Sequence, residues 1–331
     1  MAWLSDMGAT IKGYSLAPDS SQNLYLQLKG DQRCESVIAD IRNADRLKQE
    51  IHQFKPDVVF HLAAQPLVRL AYSQPLETWD INVMGTAHVL NALRHLDKSC
   101  VAVIVTTDKV YENLGSPYLY RETDRLGGHD PYSASKAAAE LIVGSFRSSY
   151  FPIDRFSSHG IAIASARAGN VFGGGDWAED RLVPDAIRAF SQGKRLCIRS
   201  PYAVRPWQHV LDPLSGYIEL ARALQRAPED FSRAWNFGPW PQDHLTVLAI
   251  AKQVAGRWGS GQIDLDDATE HVHESGLLKL DISQTVALLG WEPKWTVAEG
   301  LERAVRWYAD VANGKDAGAQ CRQDIQAYHD A

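Results

Sequence analysis

Short apolar runs alternate with stretches of helical period through the first half of the chain. Residues 11–16, 36–41, 57–62 and 100–107 read as strands, and residues 160–164 as a further one. Between the third and fourth runs, residues 78–96 place Val83, Ala87, Leu90 and Leu93 on one helical face. A second helix is expected from Ser133 to about Phe146, with a small-residue face at Ala134, Ala137 and Ala138. Strands that are apolar on both faces and separated by helices predict an α/β fold, a doubly wound Rossmann-type parallel sheet. From about Gly173 the texture changes to loops dense in Trp, Pro and Arg, mixed with short strands and helices. The expected division is a Rossmann-type domain over 1–172, a smaller mixed lobe over 173–312, and a C-terminal tail over 313–331. Part of 210–245 is expected to return to the first domain. In such sheets ligands bind beyond the carboxyl ends of the strands.

Composition narrows the field. Among 331 residues, 34 basic against 40 acidic side chains leave a net charge of −6, which lacks the basic footprint of a nucleic-acid binder. Hydrophobic residues make up 45% of the chain, enough to bury a large core. No apolar run approaches the roughly 20 residues needed to cross a bilayer. The first residues lack the basic and apolar segments of a signal peptide, so a cytoplasmic location is expected. The four cysteines, Cys34, Cys100, Cys197 and Cys321, are scattered without a CxxC pair, so neither a disulfide framework nor a metal site is expected. Cys100 and Cys197 lie in apolar runs and are expected to be inert core thiols.

Three clusters carry candidate chemistry. Tyr132 and Lys136 stand one helical turn apart, so phenol and ammonium share a face. An ammonium there is expected to lower the phenol's pKa and let it exchange a proton with a substrate hydroxyl. The same spacing at Tyr25 and Lys29 has no such context. Thr107 and Asp108 follow the buried run 100–105, where polar groups face a cleft. A hydroxyl followed by a carboxylate can bind a sugar hydroxyl and protonate it, although Asp108 reads equally well as a helix cap or turn residue. In His61-Leu62-Ala63-Ala64-Gln65, small residues just past a strand would let a flat ring approach the backbone. His61 by itself reads as a satisfied core histidine.

Taken together, Phe60 to Arg69, Asn82 to Thr86, Thr107-Asp108-Lys109, Asp130 to Lys136, Arg167 to Val171, Gly173 to Trp177, Arg205 to Val210, Trp235 to Pro239 and Lys279-Leu280-Asp281 are a specific set. With them the chain resembles the extended short-chain dehydrogenase/reductase superfamily and, within it, the CDP-glucose 4,6-dehydratases, over about residues 1–312. The family also opens on a strand and a GxxGxxG turn whose backbone cradles the NAD pyrophosphate. Gly8, Gly13 and Gly30 form no such turn, and residues 1–9 resemble the end of the helix that follows it. About 25 residues, including the central strand, are expected to lie upstream of a misassigned start, with a real truncation as the alternative.

The resemblance implies a lyase that uses NAD to convert CDP-D-glucose into CDP-4-keto-6-deoxy-D-glucose and water. Tyr132 with Lys136 would take the 4-hydroxyl proton, Thr107 would bond the 4-oxygen, and Asp108 would protonate the departing 6-hydroxyl. Lys109 would be the C5 base or an electrostatic partner of the enolate. Asp40 and Ile41 would meet the adenine, Ala63, Ala64 and Gln65 the ribose and nicotinamide, and Asn82 the same cleft. Asp19 is a candidate for the ribose acid. Asn170, Arg181, Arg199 and Arg205 would hold the diphosphate, where arginine forks suit two phosphates. Trp177 and Trp207 either cover the base or sugar or belong to the core. The resemblance further implies a homodimer formed through the helices over 78–96 and 133–146, and a place in deoxysugar synthesis for cell-surface polysaccharide such as lipopolysaccharide O-antigen. The rival readings are another nucleotide-sugar dehydratase or epimerase, and a non-catalytic nucleotide-sugar-binding protein.

Overall fold

The apolar runs of the first half become parallel strands. In the computed structural model, which describes residues 1–266 and 276–331, these are β1 (Lys12–Ser15), β2 (Glu35–Ile38), β3 (Val58–His61), β4 (Cys100–Val105) and β5 (Ile161–Ala168). Seven further strands follow: β6 (Val171–Phe172), β7 (Arg195–Ile198), β8 (Val204–Pro206), β9 (Gln208–His209), β10 (Ala234–Phe237), β11 (His244–Thr246) and β12 (Gln262–Leu265). A four-stranded parallel sheet has the order β10-β5-β4-β3, with Cys100 beside Ile161 and Val105 beside Ala166 at its centre.

Both faces of this sheet are covered, which is why β4 and β5 are apolar throughout. Cys100, Ala102, Ile104, Ile161 and Ile163 pack on the helices Ala44–Phe54, Gly85–Leu93 and Pro131–Ser149 through Leu47, Ile51, Leu90, Leu93 and Val143. The alternate residues Val101, Val103, Ala162 and Ala164 meet Tyr217, Leu220 and Leu224 of the Leu211–Arg226 helix. Each such Val, Ile or Leu contributes about 1.5–3 kcal/mol on burial, so a one-residue slip of register is heavily penalised.

β1 and β2 pair only with each other, Lys12 beside Glu35. Among the described residues no strand joins β1 to β3, so the parallel sheet stands in two pieces and each of these strands is paired along one edge. The smaller piece is held by Lys12, whose ammonium lies 2.7 Å from Glu50 on the Ala44–Phe54 helix and 2.8 Å from Glu35.

The helix expected over 78–96 is built in three parts: Pro75–Trp79, a π turn over Asp80–Met84, and Gly85–Leu93. The wide turn adds a residue to the spiral and rotates the inward face. Asn82, Thr86, Val89, Leu90 and Leu93 are buried, while Val83 and Ala87 are only half-buried. Cys197 is exposed, not the core thiol expected from its apolar run. β7 is half-buried and alternates, with Leu196 and Ile198 inward and Arg195 and Cys197 outward.

After β5 a separate core gathers Phe172, Ile187, Phe190, Trp207, Val254, Leu301 and Trp307 among the helices Leu182–Ser191, Val247–Trp258 and Val297–Ala312. Residues 313–331 contain the helix Ala317–Asp330, whose Ile325 and Tyr328 pack on Trp3, Leu211 and Trp295.

Candidate active site

The site lies where β4 and β5 end. Asp130 starts the long helix Pro131–Ser149, its carboxylate accepting from the Ser133 backbone N–H at 3.0 Å and from the Ser133 hydroxyl at 2.5 Å. Pro131 in the first turn needs no hydrogen-bond partner for a backbone N–H. This cap fixes Tyr132 at the mouth of the helix and Lys136 one turn deeper, both buried. The Lys136 ammonium donates to the carbonyl of Val105, the last residue of β4, at 3.2 Å. Burial pushes it down to about 8, opposed by the negative charge of Glu140.

Tyr132 departs from expectation. Burial raises its phenol to about 12, and the Thr107 hydrogen bond only partly offsets that. Asp108 acts in the same direction as burial, and Arg181 against it.

Thr107 and Asp108 complete the cluster. Thr107, rather than Asp108, caps the short turn Asp108–Val110: its hydroxyl accepts from the Lys109 N–H at 3.4 Å and donates to Asp108 Oδ1 at 3.0 Å. The Asp108 carboxyl is therefore not used as a cap. It is 1% exposed and its Oδ2 has no hydrogen-bond partner. Burial raises its pKa, against the opposing effects of Lys109, Thr107 and Arg205. A carboxyl so placed holds its proton longer than an exposed one, as a general acid must. Gly169 lets it sit there, since a Cβ at that position would fall 2.3 Å from Asp108 Oδ2. Lys109 is half-buried beside the carboxyl.

On the β3 side, Ala63 and Ala64 are half-buried small residues just past the strand. Asn82 holds their loop, accepting from the Gln65 N–H at 2.8 Å and donating to the Gln65 carbonyl at 3.1 Å and to Ser135 at 2.9 Å. The Gln65 side chain is bonded to Leu67 and Thr78. Asn82 and Gln65 are thus joined to protein partners, and through Ser135 they tie the loop to the Tyr132 helix. His61 is a core histidine as expected, buried on Thr86 at 3.0 Å and pushed down to about 3. Asp40 stands past β2 with its carboxylate on Arg42 at 2.6 Å, and Ile41 packs on Gly85. Asp19 bonds Asn23 at the surface. The small side chains of Ala63 and Ala64 leave room for a flat ring. A glycine-rich turn for a pyrophosphate is lacking among the described residues.

The candidate diphosphate ligands separate into two places. Arg199 and Arg69 share Asp180, each at 3.0 Å, and Arg181 pairs with Asp176 at 3.0 Å. Arg205 is instead buried next to Asp108, with Nη1 on the Val204 carbonyl at 3.0 Å. Asn170 has a buried Oδ1 without a partner. Trp207 belongs to the core and donates to the Leu245 carbonyl, and Trp177 packs edge-on against Tyr308. Sequence reasoning missed the buried Glu140–Arg167 pair directly behind Lys136 and the close approach at Gly169. Glu140 could have been found from its place four residues after Lys136, one turn along the same face.

The comparisons with known proteins agree with this geometry. Residues 10–304 match the family model for GDP-mannose 4,6 dehydratase. A protein of Salmonella typhimurium named CDP-glucose 4,6-dehydratase is 45% identical over 329 residues, covering 99% of this chain and 92% of that one. Two solved structures share the fold. One is dTDP-glucose 4,6-dehydratase from Streptomyces venezuelae, solved with NAD bound: TM-score 0.75, 22% identity, 92% of this chain and 88% of that one. The other is UDP-glucuronic acid 4-epimerase from Bacillus cereus: TM-score 0.77, 20% identity, 94% of each. The chain belongs to the GDP-mannose 4,6-dehydratase family of the extended short-chain dehydrogenases/reductases, and within it to the CDP-glucose 4,6-dehydratases.

Proposed function

We propose that this protein dehydrates CDP-D-glucose to CDP-4-keto-6-deoxy-D-glucose, working with NAD. The observation that carries the reading is the buried Asp108 carboxyl, with one oxygen unpartnered and its proton favoured, beside Thr107, Tyr132 and Lys136. An epimerase has no use for an acid that expels a 6-hydroxyl. NAD, when bound, would supply the hydride acceptor and donor, so that oxidation at C4 and reduction at C6 leave the reaction redox-neutral. Tyr132, assisted by Lys136 one turn along the helix, takes the proton of the 4-hydroxyl, with Thr107 bonded to the 4-oxygen. The 4-ketone acidifies the C5 proton, and Lys109 is the group placed to receive it or to balance the enolate. Asp108 gives its proton to the 6-hydroxyl as water leaves. Arg181, Arg199 and Asn170 bind the diphosphate, with Arg69 beside them, and Arg205 orients Asp108. Asp40, Ile41, Ala63 and Ala64 line the cofactor side, while Gln65 and Asn82 shape it.

The four-stranded sheet and its helices serve the cofactor, and the lobe after residue 172 serves the nucleotide sugar. The chain assembles as a homodimer through the outer face of residues 75–93 and of the helix Pro131–Ser149, where Leu76, Met84 and Leu141 stand exposed. No helix among the described residues is long and apolar enough to cross a membrane, which suits work in the cytoplasm on a soluble sugar nucleotide. The test is an assay of the purified protein for NAD binding and, by mass spectrometry, for loss of water from CDP-glucose. Water loss supports the dehydratase reading; a folded protein that binds CDP-glucose and releases no water would replace it with nucleotide-sugar binding without turnover.

A further inference from the structure

Glu140 sits one turn beyond Lys136 on the same helix, with its side chain 2% exposed. Its carboxylate is fully engaged: Oε1 accepts from the Thr106 hydroxyl at 2.6 Å and from Arg167 Nε at 3.0 Å. Oε2 accepts from the Ser165 hydroxyl at 2.7 Å and from Arg167 Nη2 at 2.9 Å. Arg167 continues the chain of contacts through Nη1 to the Tyr111 hydroxyl and the Glu122 carbonyl, each at 3.0 Å. Tyr111 then donates to Asn236 of β10 at 2.6 Å. One carboxylate therefore gathers the ends of β4 and β5 and, through two further residues, β10.

Thr106 is the informative partner. It lies between Val105, whose carbonyl receives the Lys136 ammonium, and Thr107, whose hydroxyl meets Tyr132 and Asp108. Whatever fixes Thr106 fixes both neighbours. We propose that Glu140 is a positioning residue for the reaction: its buried carboxylate locks the Val105–Thr107 backbone in register with Lys136 and Tyr132 and sets a negative charge one turn beyond the Lys136 ammonium. The proposal rests on the assignment of Tyr132 and Lys136 to proton transfer.

The charges around Lys136 support the electrostatic part. Glu140 is the charged group that raises it against burial. His61, from β3, is held neutral, with a value near 3. Tyr132 precedes Lys136 on the same helix, and burial raises its phenol. Arg167, from β5, and Arg147, further along the helix, both interact with Glu140 and would repel Lys136 once that carboxylate were neutral. A buried pair that loses one member leaves the other charge uncompensated, so the single variant carries a folding risk.

The experiment uses Glu140→Gln and the charge-balanced Glu140→Gln/Arg167→Gln. The Lys136 side chain is titrated by carbon-13 NMR of lysine-labelled protein, its signal assigned by loss in Lys136→Arg, and the pH profile of kcat is recorded alongside. The expected result is a Lys136 midpoint at least one pH unit below wild type in the single variant, with the alkaline limb of kcat moving acidward by as much. Glu140→Asp should recover part of both. An unmoved midpoint in a folded Glu140→Gln protein overturns the proposal, as does failure of the double variant to fold, because the carboxylate would then serve the fold alone. If the midpoint shifts while wild-type protein turns over no CDP-glucose, Glu140 acts on Lys136 as proposed and the dehydratase reading is what fails.

Discussion

Gly169→Ala is the most direct test of the Asp108 assignment. A Cβ at position 169 would lie 2.3 Å from Asp108 Oδ2, 2.8 Å from its Cγ and 2.7 Å from Pro206 Cγ. Ordinary contact begins near 3.4 Å, so the carboxyl must retreat by about 1 Å. The backbone at Gly169 is not in the left-handed region, so the effect is steric alone. A displacement of about 1 Å at a reacting group can cost about a hundredfold in rate. Overpacking a buried site of this kind costs about 1–3 kcal/mol, a fall of several degrees in melting temperature.

The assay is kcat for water loss from CDP-glucose, with NAD affinity and thermal unfolding measured on the same preparation. The expected variant folds, binds NAD as the parent does and loses about two orders of magnitude in kcat. Gly256→Ala is the control. Gly256 is exposed in the Val247–Trp258 helix with nothing within 4 Å of the new methyl group. That change should leave kcat alone and stabilise by about 0.5–1 kcal/mol. Parental kcat in a folded Gly169→Ala protein would refute the placement of Asp108 at the reacting atoms.

Asp108→Asn keeps the shape and the Thr107 contact while removing the acid, so water loss should fall by about 10²–10⁴-fold. Because burial raises this carboxyl, wild-type stability declines as pH climbs from the ordinary aspartate value through the raised one; the Asn variant should lack that decline in urea titrations across pH. Asp212, buried on Tyr328 at 2.8 Å, is raised to about 6. Asp212→Asn should therefore gain up to about 3 kcal/mol on wild type above pH 6 and nothing below pH 4, read by thermal unfolding at both values. Under the proposed assembly, Leu141→Asp, on an outer helix face where Leu141 is 64% exposed, should lower the mass read by light scattering from two chains to one without unfolding the chain.

What could be read from the sequence is what depends on local spacing. Tyr132 and Lys136 share a face because one turn of any helix puts them there, and Asp130-Pro131 marks where that helix starts. The buried strands announced themselves through unbroken apolar runs. Other features depend on tertiary contacts that spacing does not encode. The Glu140–Arg167 pair spans 27 positions, and the exposed side of Cys197 depends on β7 lying half-covered beside β12. The helix before β4 is a case between the two. Its existence was legible, but the π turn at Asp80–Met84 rotated the inward face, and that rotation is what brings Asn82 onto Gln65 and Ser135.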